Sequence, residues 1–178
     1  MKTLNDLIDK YPLLFRNKDE REPFNCFGFE CDEGWFNILN SAFHLLYANY
    51  NHTKRMLDYW KNTNSNLDNL ALKKEEQIKY FEEELSKIVD NMPMVAQIKE
   101  KFGTLRLYMD NYKEFDSGVI QMAEEMSAFT CEICGCAAET YTIGWHKTLC
   151  TTHAIEKYGE DKVVSYKEKL LEIRSQKW

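Results

Sequence analysis

Four metal-binding side chains in two tight pairs constrain this chain more than any other feature. Cys131 and Cys134 are separated by two residues and followed by Gly135, and Cys150 and His153 repeat that spacing fifteen residues later. Two ligands with two residues between them can grip one metal from a single turn, and two such pairs at this distance read as a zinc site. A glycine after the second thiolate lets the backbone turn sharply toward sulfur. One zinc ion held by Cys131, Cys134, Cys150 and His153 is therefore expected. Protein fills all four positions, three of them with thiolate, so the metal is expected to be structural rather than catalytic. Its removal should unfold a segment too small for a core of its own.

Between the pairs, Thr140 to Thr148 with Gly144 fits a hairpin, and Thr148 or Thr151 can open a helix carrying the second pair. Knuckle, hairpin and helix together resemble a treble-clef zinc finger. Cys136 and His146 lie close enough to compete as ligands, but both are read as bystanders. Some nucleases place catalytic histidines in such a hairpin. Here only His146 is present, without a second histidine or an acidic partner. Cys26 and Cys31 have no neighbouring pair and are expected as buried free thiols.

Upstream, residues 3–15 read as a short helix ended at Pro12, and 16–23 as a charged surface loop. The aromatic run 24–31 reads as a short buried strand or extended segment. Asp32 is a candidate N-cap for a helix whose inner stripe is Trp35, Ile38, Leu39, Ala42, Phe43, Leu46 and Tyr50, with a kink near 49–51. His44 falls on or beside that stripe and is read as a core histidine, and His52 lies at the kink. A polar loop is expected at 62–69 and a charged helix over 70–89, with Phe81, Leu85 and Ile88 inward.

Residues 94–109 read as a β-hairpin turning at Phe102–Gly103, with a short helix over 94–102 as the competing reading. Ala96, Ile98 and Phe102 would share one face of its first strand, and Leu105, Leu107 and Met109 would point inward from its second. A helix over 116–128 should bury Val119, Ile120, Ala123 and Met126. A last helix over 151–175, broken at Gly159, should dock through Val163, Tyr166, Leu170 and Ile173. The expected fold class is α+β: a mainly helical body over 1–128 with a hairpin near 94–109, and a treble-clef-like finger with a C-terminal helix over 129–178 packed on it.

At 44% hydrophobic and 29% charged residues, the chain has enough apolar surface for a core. No run approaches the ~20 apolar residues of a membrane span, and no signal peptide is visible at the start. A bacterial host cytoplasm, with reduced cysteines and no membrane association, is the expected setting. The net charge of −6 speaks against a phosphate-tracking surface, as do the seven acids balanced by seven bases within 129–178. The chain lacks a phosphate-binding glycine loop, G-x-S-x-G and H-E-x-x-H.

Three segments, KEKFGTLRLY, FECDEGW and CEICG…GWHKTLCTTH, together resemble a group of small proteins common in bacteriophages and prophages. The resemblance covers about residues 26–153 and implies a phage or prophage setting inside a bacterial cell, without catalytic residues. The function expected from it is a non-enzymatic accessory protein that binds a host bacterial protein, with inhibition of antiviral defence as the accompanying role. A small-molecule module for a nucleotide signal is the alternative, using Trp35, Lys99, Lys101, Arg106 and Tyr108 as a basic and aromatic surface. The plainer reading of that surface is a solvated strand face whose cations pair with Glu30 or Glu33. Nucleic-acid binding through the finger is a further alternative.

Overall fold

A computed structural model of the protein describes residues 3–17, 19–63 and 68–176. Its first helix, α1 (Asp6–Lys10), stops before Pro12, as expected. Next comes α2 (Pro23–Phe27), where an extended segment was expected. Pro23 occupies the first turn of this helix, where a proline costs nothing because its missing N–H would have no partner. Only β1 (Phe29–Glu30) is extended. A 3₁₀ turn (Glu33–Trp35) leads into α3 (Phe36–Leu46), and Asp32 precedes that turn without a side-chain cap bond.

The stripe of α3 is as read, with Ile38, Leu39, Ala42, Phe43 and Leu46 buried. The break before α4 (Ala48–Asn62) falls at Tyr47, slightly ahead of the expected kink. His44 is exposed, one helical step off the buried face, so it is not a core histidine. α5 (Asp68–Asp90) lies against α4, with Lys61 and Glu82 paired at 2.7 Å. Of the loop expected at 62–69, residues 64–67 lie outside the described residues.

β2 (Met94–Lys101) and β3 (Thr104–Asp110) form the expected hairpin, and β1 adds to β2 in parallel. Phe102 and Gly103 both take positive φ at the turn, 55° and 80°. That geometry matches the twist of the flanking strands. A bulge between Val95 and Gln97 puts Val95 and Ile98 on the buried face together. The expected grouping of Ala96, Ile98 and Phe102 therefore does not form: Ala96 sits at the bulge, and Phe102 is exposed at the tip. Leu105, Leu107 and Met109 point inward, as read.

α6 (Glu114–Ser127) runs along the free edge of β3 and satisfies it with side chains. The Leu105 amide donates to Ser127 Oγ at 2.8 Å, and the Leu107 amide to Glu124 Oε1 at 3.0 Å. An edge covered in this way cannot recruit another strand. Met126, expected inside, is exposed, and Ser127 takes the buried position to reach that edge. Phe15, Phe24, Phe29 and Phe43 meet at centroid distances of 5.0 to 6.2 Å and form the aromatic centre of the body.

The C-terminal part consists of β4 (Glu139–Ile143), β5 (Trp145–Leu149), α7 (Thr151–Tyr158) and α8 (Glu160–Ser175), with the helices separated at Gly159. Tyr141, Leu149, Ala154 and Val163 make a second, smaller apolar cluster with Cys131. The protein is thus α+β, a mainly helical body with a β-hairpin and a C-terminal treble-clef-like finger whose Cys and His cluster is compatible with zinc. Among the described residues, no helix is long and apolar enough to cross a membrane.

Candidate metal centre

Knuckle and helix bring the four predicted ligands together. Cys131, Cys134, Cys150 and His153 place one donor atom each within 4.8 Å of one another, and the four could hold a metal ion. Cys134 Sγ lies 3.8 Å from Cys150 Sγ. His153 Nδ1 lies 3.4 Å from Cys131 Sγ and 3.2 Å from Cys150 Sγ. Cys150 is the N-cap of α7, so it and His153 project from one helical turn. Gly135 closes the knuckle at φ 75°, its amide donating to the Cys131 carbonyl at 2.8 Å.

Burial pushes the Cys131 thiol up. The amides of Cys150, Cys134 and Ile133, with His153, outweigh that and bring it down to about 7. A sulfur so surrounded favours the thiolate that a metal needs. His153 turns its other ring nitrogen toward Glu156 Oε2 at 3.9 Å. At that distance and with the Glu156 side chain largely exposed, the carboxylate makes no hydrogen bond to the ring.

The neighbouring candidates lie outside this group of four. Cys136 is exposed and His146 sits in the hairpin, 3.2 Å from Thr142 Oγ1 and edge-on to Phe102. Cys26 is exposed rather than buried, its thiol 3.0 Å from the Glu20 carbonyl. Cys31 is half-buried, and burial first, with nearby Glu132, Asp32 and Glu33, pushes its thiol up to about 12. It is an inert thiol.

The three segments singled out in the sequence meet at this centre. The Gly34 amide donates to the Glu132 carbonyl at 2.8 Å, and Trp35 Nε1 donates to the Thr130 carbonyl at 2.9 Å. Thr148 Oγ1 donates to the Gly103 carbonyl at 2.6 Å, and Phe102 stacks near Trp145 with centroids 6.4 Å apart. Gly34 and Gly135 touch backbone to backbone: a Cβ on Gly34 would lie 2.2 Å from the Cys131 carbonyl oxygen, and one on Gly135 2.8 Å from the Gly34 oxygen. FECDEGW and KEKFGTLRLY are thus the two body segments on which the finger is seated.

One ion triad ties them further. Lys147 Nζ lies 2.7 Å from Glu132 Oε2 and 3.0 Å from Glu100 Oε2, all three side chains being largely buried. Burial opposes the charge on Lys147, but the two carboxylates outweigh it and raise its pKa. Glu100 faces inward beside Ile98, where the body ends and β5 begins. Lys147→Met should destabilise the protein by about 3 kcal/mol, because it strands two buried carboxylates. Adding Glu100→Gln and Glu132→Gln should restore most of that loss in urea unfolding. A triple variant no more stable than Lys147→Met would refute a stabilising role for the lysine's charge.

The second candidate surface is dispersed. Trp35 is fully buried in the body core and cannot touch a ligand from solvent. Lys99, Arg106 and Tyr108 do share the outer face of the hairpin, with Lys99 opposite Arg106 and its ammonium 5.3 Å from the Tyr108 ring. Lys101 sits at the hairpin end, over Phe102. The expected pairing with Glu30 or Glu33 does not form. Glu30 accepts from Gln97 and Glu33 from the Leu4 amide, while Lys99 donates to Gln97 Oε1 at 2.7 Å.

No family model, curated protein or solved structure matches the chain.

Proposed function

We propose that the protein is a non-enzymatic accessory protein of a phage or prophage that binds a host bacterial protein, with components of antiviral defence as the favoured target class. The metal in this reading is one structural zinc. A tetrahedral zinc with sulfur at about 2.3 Å and nitrogen at about 2.0 Å has S–S edges near ~3.8 Å and S–N edges near ~3.5 Å. The separations of 3.8, 3.4 and 3.2 Å fit such a polyhedron, and three thiolates with one imidazole suit zinc. Zinc would supply the cross-link that fixes knuckle to helix. With four protein ligands it keeps no position for a reacting water.

The observation that carries the binding reading is the outer face of α6. Phe115, Met122 and Met126, with Phe129 just beyond the helix, are each about half exposed or more. Their spacing of seven, four and three residues aligns them in one stripe. Aromatic and methionine side chains exposed in a row are the composition of a protein-binding patch. The loss of Trp35 from the alternative surface weakens the nucleotide reading.

The test is affinity capture from bacterial lysate with the tagged, metal-loaded protein. A stoichiometric protein partner, reduced severalfold by Met122→Asp, is the expected result. Recovery of only nucleic acid or a small molecule would defeat the proposal.

A further inference from the structure

α8 carries an apolar seam of heptad spacing that it buries only in part. Val163 and Tyr166 occupy the first turn of the seam, and Leu170 and Ile173 the second. The first pair is spent on the finger: Val163 is buried, and the Tyr166 ring packs on Tyr141 while its hydroxyl donates to the Thr140 carbonyl at 2.9 Å. The second pair runs past the finger. Leu170 and Leu171 line a cleft of ≈ 510 Å³ whose other wall is Ala128 and Phe129, and Ile173 is exposed. Phe129 also ends the α6 stripe, so the cleft continues the surface assigned above to protein binding.

The charges beside the seam say what can fill it. In heptad terms its flanks are Lys162 and Lys169 on one side and Glu160, Lys167 and Arg174 on the other. Glu160 stands beside the half already spent on the finger, so the flanks of the exposed half are basic. Asp161, Glu168 and Glu172 fall on the far side of the helix. Among the described residues, Lys167 is the one flanking cation with an acidic neighbour, Glu139 at 4.0 Å. A second copy docked in parallel would set Lys162 against Lys167 and Lys169 against Arg174. Like charges at those positions reject a partner.

We propose that the exposed half of the α8 seam, with Phe129, receives an amphipathic helix of a partner protein whose flanks are acidic. This rests on the protein-binding reading and adds the site and the chemistry of the partner.

The test is fluorescence anisotropy with the full-length, metal-loaded protein and two synthetic helical peptides. They share a leucine and isoleucine seam and differ only in glutamate or lysine flanks. The glutamate peptide should bind at least about tenfold more tightly, a difference typical of complementary charges at a helix pair. The triple variant K162E, K169E, R174E should reverse the preference, and Ile173→Asp should abolish binding, with circular dichroism confirming that both variants fold. Equal binding of the two peptides, binding of neither, or an unreversed preference would overturn the site. So would a dimer in sedimentation that Ile173→Asp disperses, which would give the seam to a second copy. If the same variants still capture the lysate partner, protein binding stands and this site falls; if the wild-type protein captures none, the underlying reading fails first.

Discussion

Replacing Cys150 by alanine should unfold the finger and release the metal. The site joins a knuckle at 131–135 to the start of α7, and the apolar cluster between them holds only a few side chains. Structural zinc contributes on the order of 10 kcal/mol to folding of such segments, as much as the whole stability of many domains. Removing one of four ligands gives up a large part of it. Thermal unfolding followed by circular dichroism should show loss of α7 and α8 signal at ordinary temperature, while the aromatic centre around Phe15 and Phe43 keeps its near-ultraviolet spectrum. The body should survive because its core is separate from that of the finger. An unchanged melting curve together with retained metal would contradict the assignment of Cys150.

The second large effect is expected at Gly34, far from the ligands in sequence. A methyl group there would lie 2.2 Å from the Cys131 oxygen and 2.4 Å from the Glu132 oxygen, both backbone atoms that cannot swing aside. Gly34→Ala should therefore cost about 3 kcal/mol or more, at the upper end for overpacking. The loss should appear as separation of finger from body and not as loss of metal. Chelator titration monitored by metal release should show nearly the wild-type metal affinity, while limited proteolysis should cut readily between 128 and 131. Gly28→Ala is the control, since a Cβ there meets nothing within 4 Å although its φ is +66°. Its backbone, at φ +66° and ψ −139°, lies in a region open essentially to glycine alone, so that strain should cost about 2 kcal/mol while leaving the finger seated. Equal loosening of the finger by both substitutions would mean that Gly34 matters for conformation and not for close approach.

The parts of this fold that were legible in the sequence are those specified locally. Ligand spacing placed the metal centre, a 3.6-residue period placed the face of α3, and alternation placed the inner side of β3. The parts that were not legible depend on partners distant in the chain. Glu100 reads as one more charge on a strand until Lys147 of the finger arrives opposite it. Trp35 reads both as part of the inner stripe of its helix and as part of a basic and aromatic surface; the first holds, and its indole is spent on the Thr130 carbonyl ninety-five residues away. The bulge at 95–97 breaks the period of two, so alternation misassigned Ala96. Pro23 did carry a local sign of a helix start that the aromatic run after it obscured. The three segments quoted in the sequence pack together, FECDEGW and KEKFGTLRLY on one side of an interface and the finger on the other, a contact that no local pattern announces.

Hydrogen–deuterium exchange before and after metal chelation tests most directly the claim that a metal-held finger is seated on the body through these segments. Chelation should raise exchange within 131–158 and also in the body segments 28–36 and 99–106, whose Gly34, Trp35 and Gly103 groups bond to the finger, while α3 keeps its protection. Exchange that rises in the finger alone, or nowhere, would contradict the account.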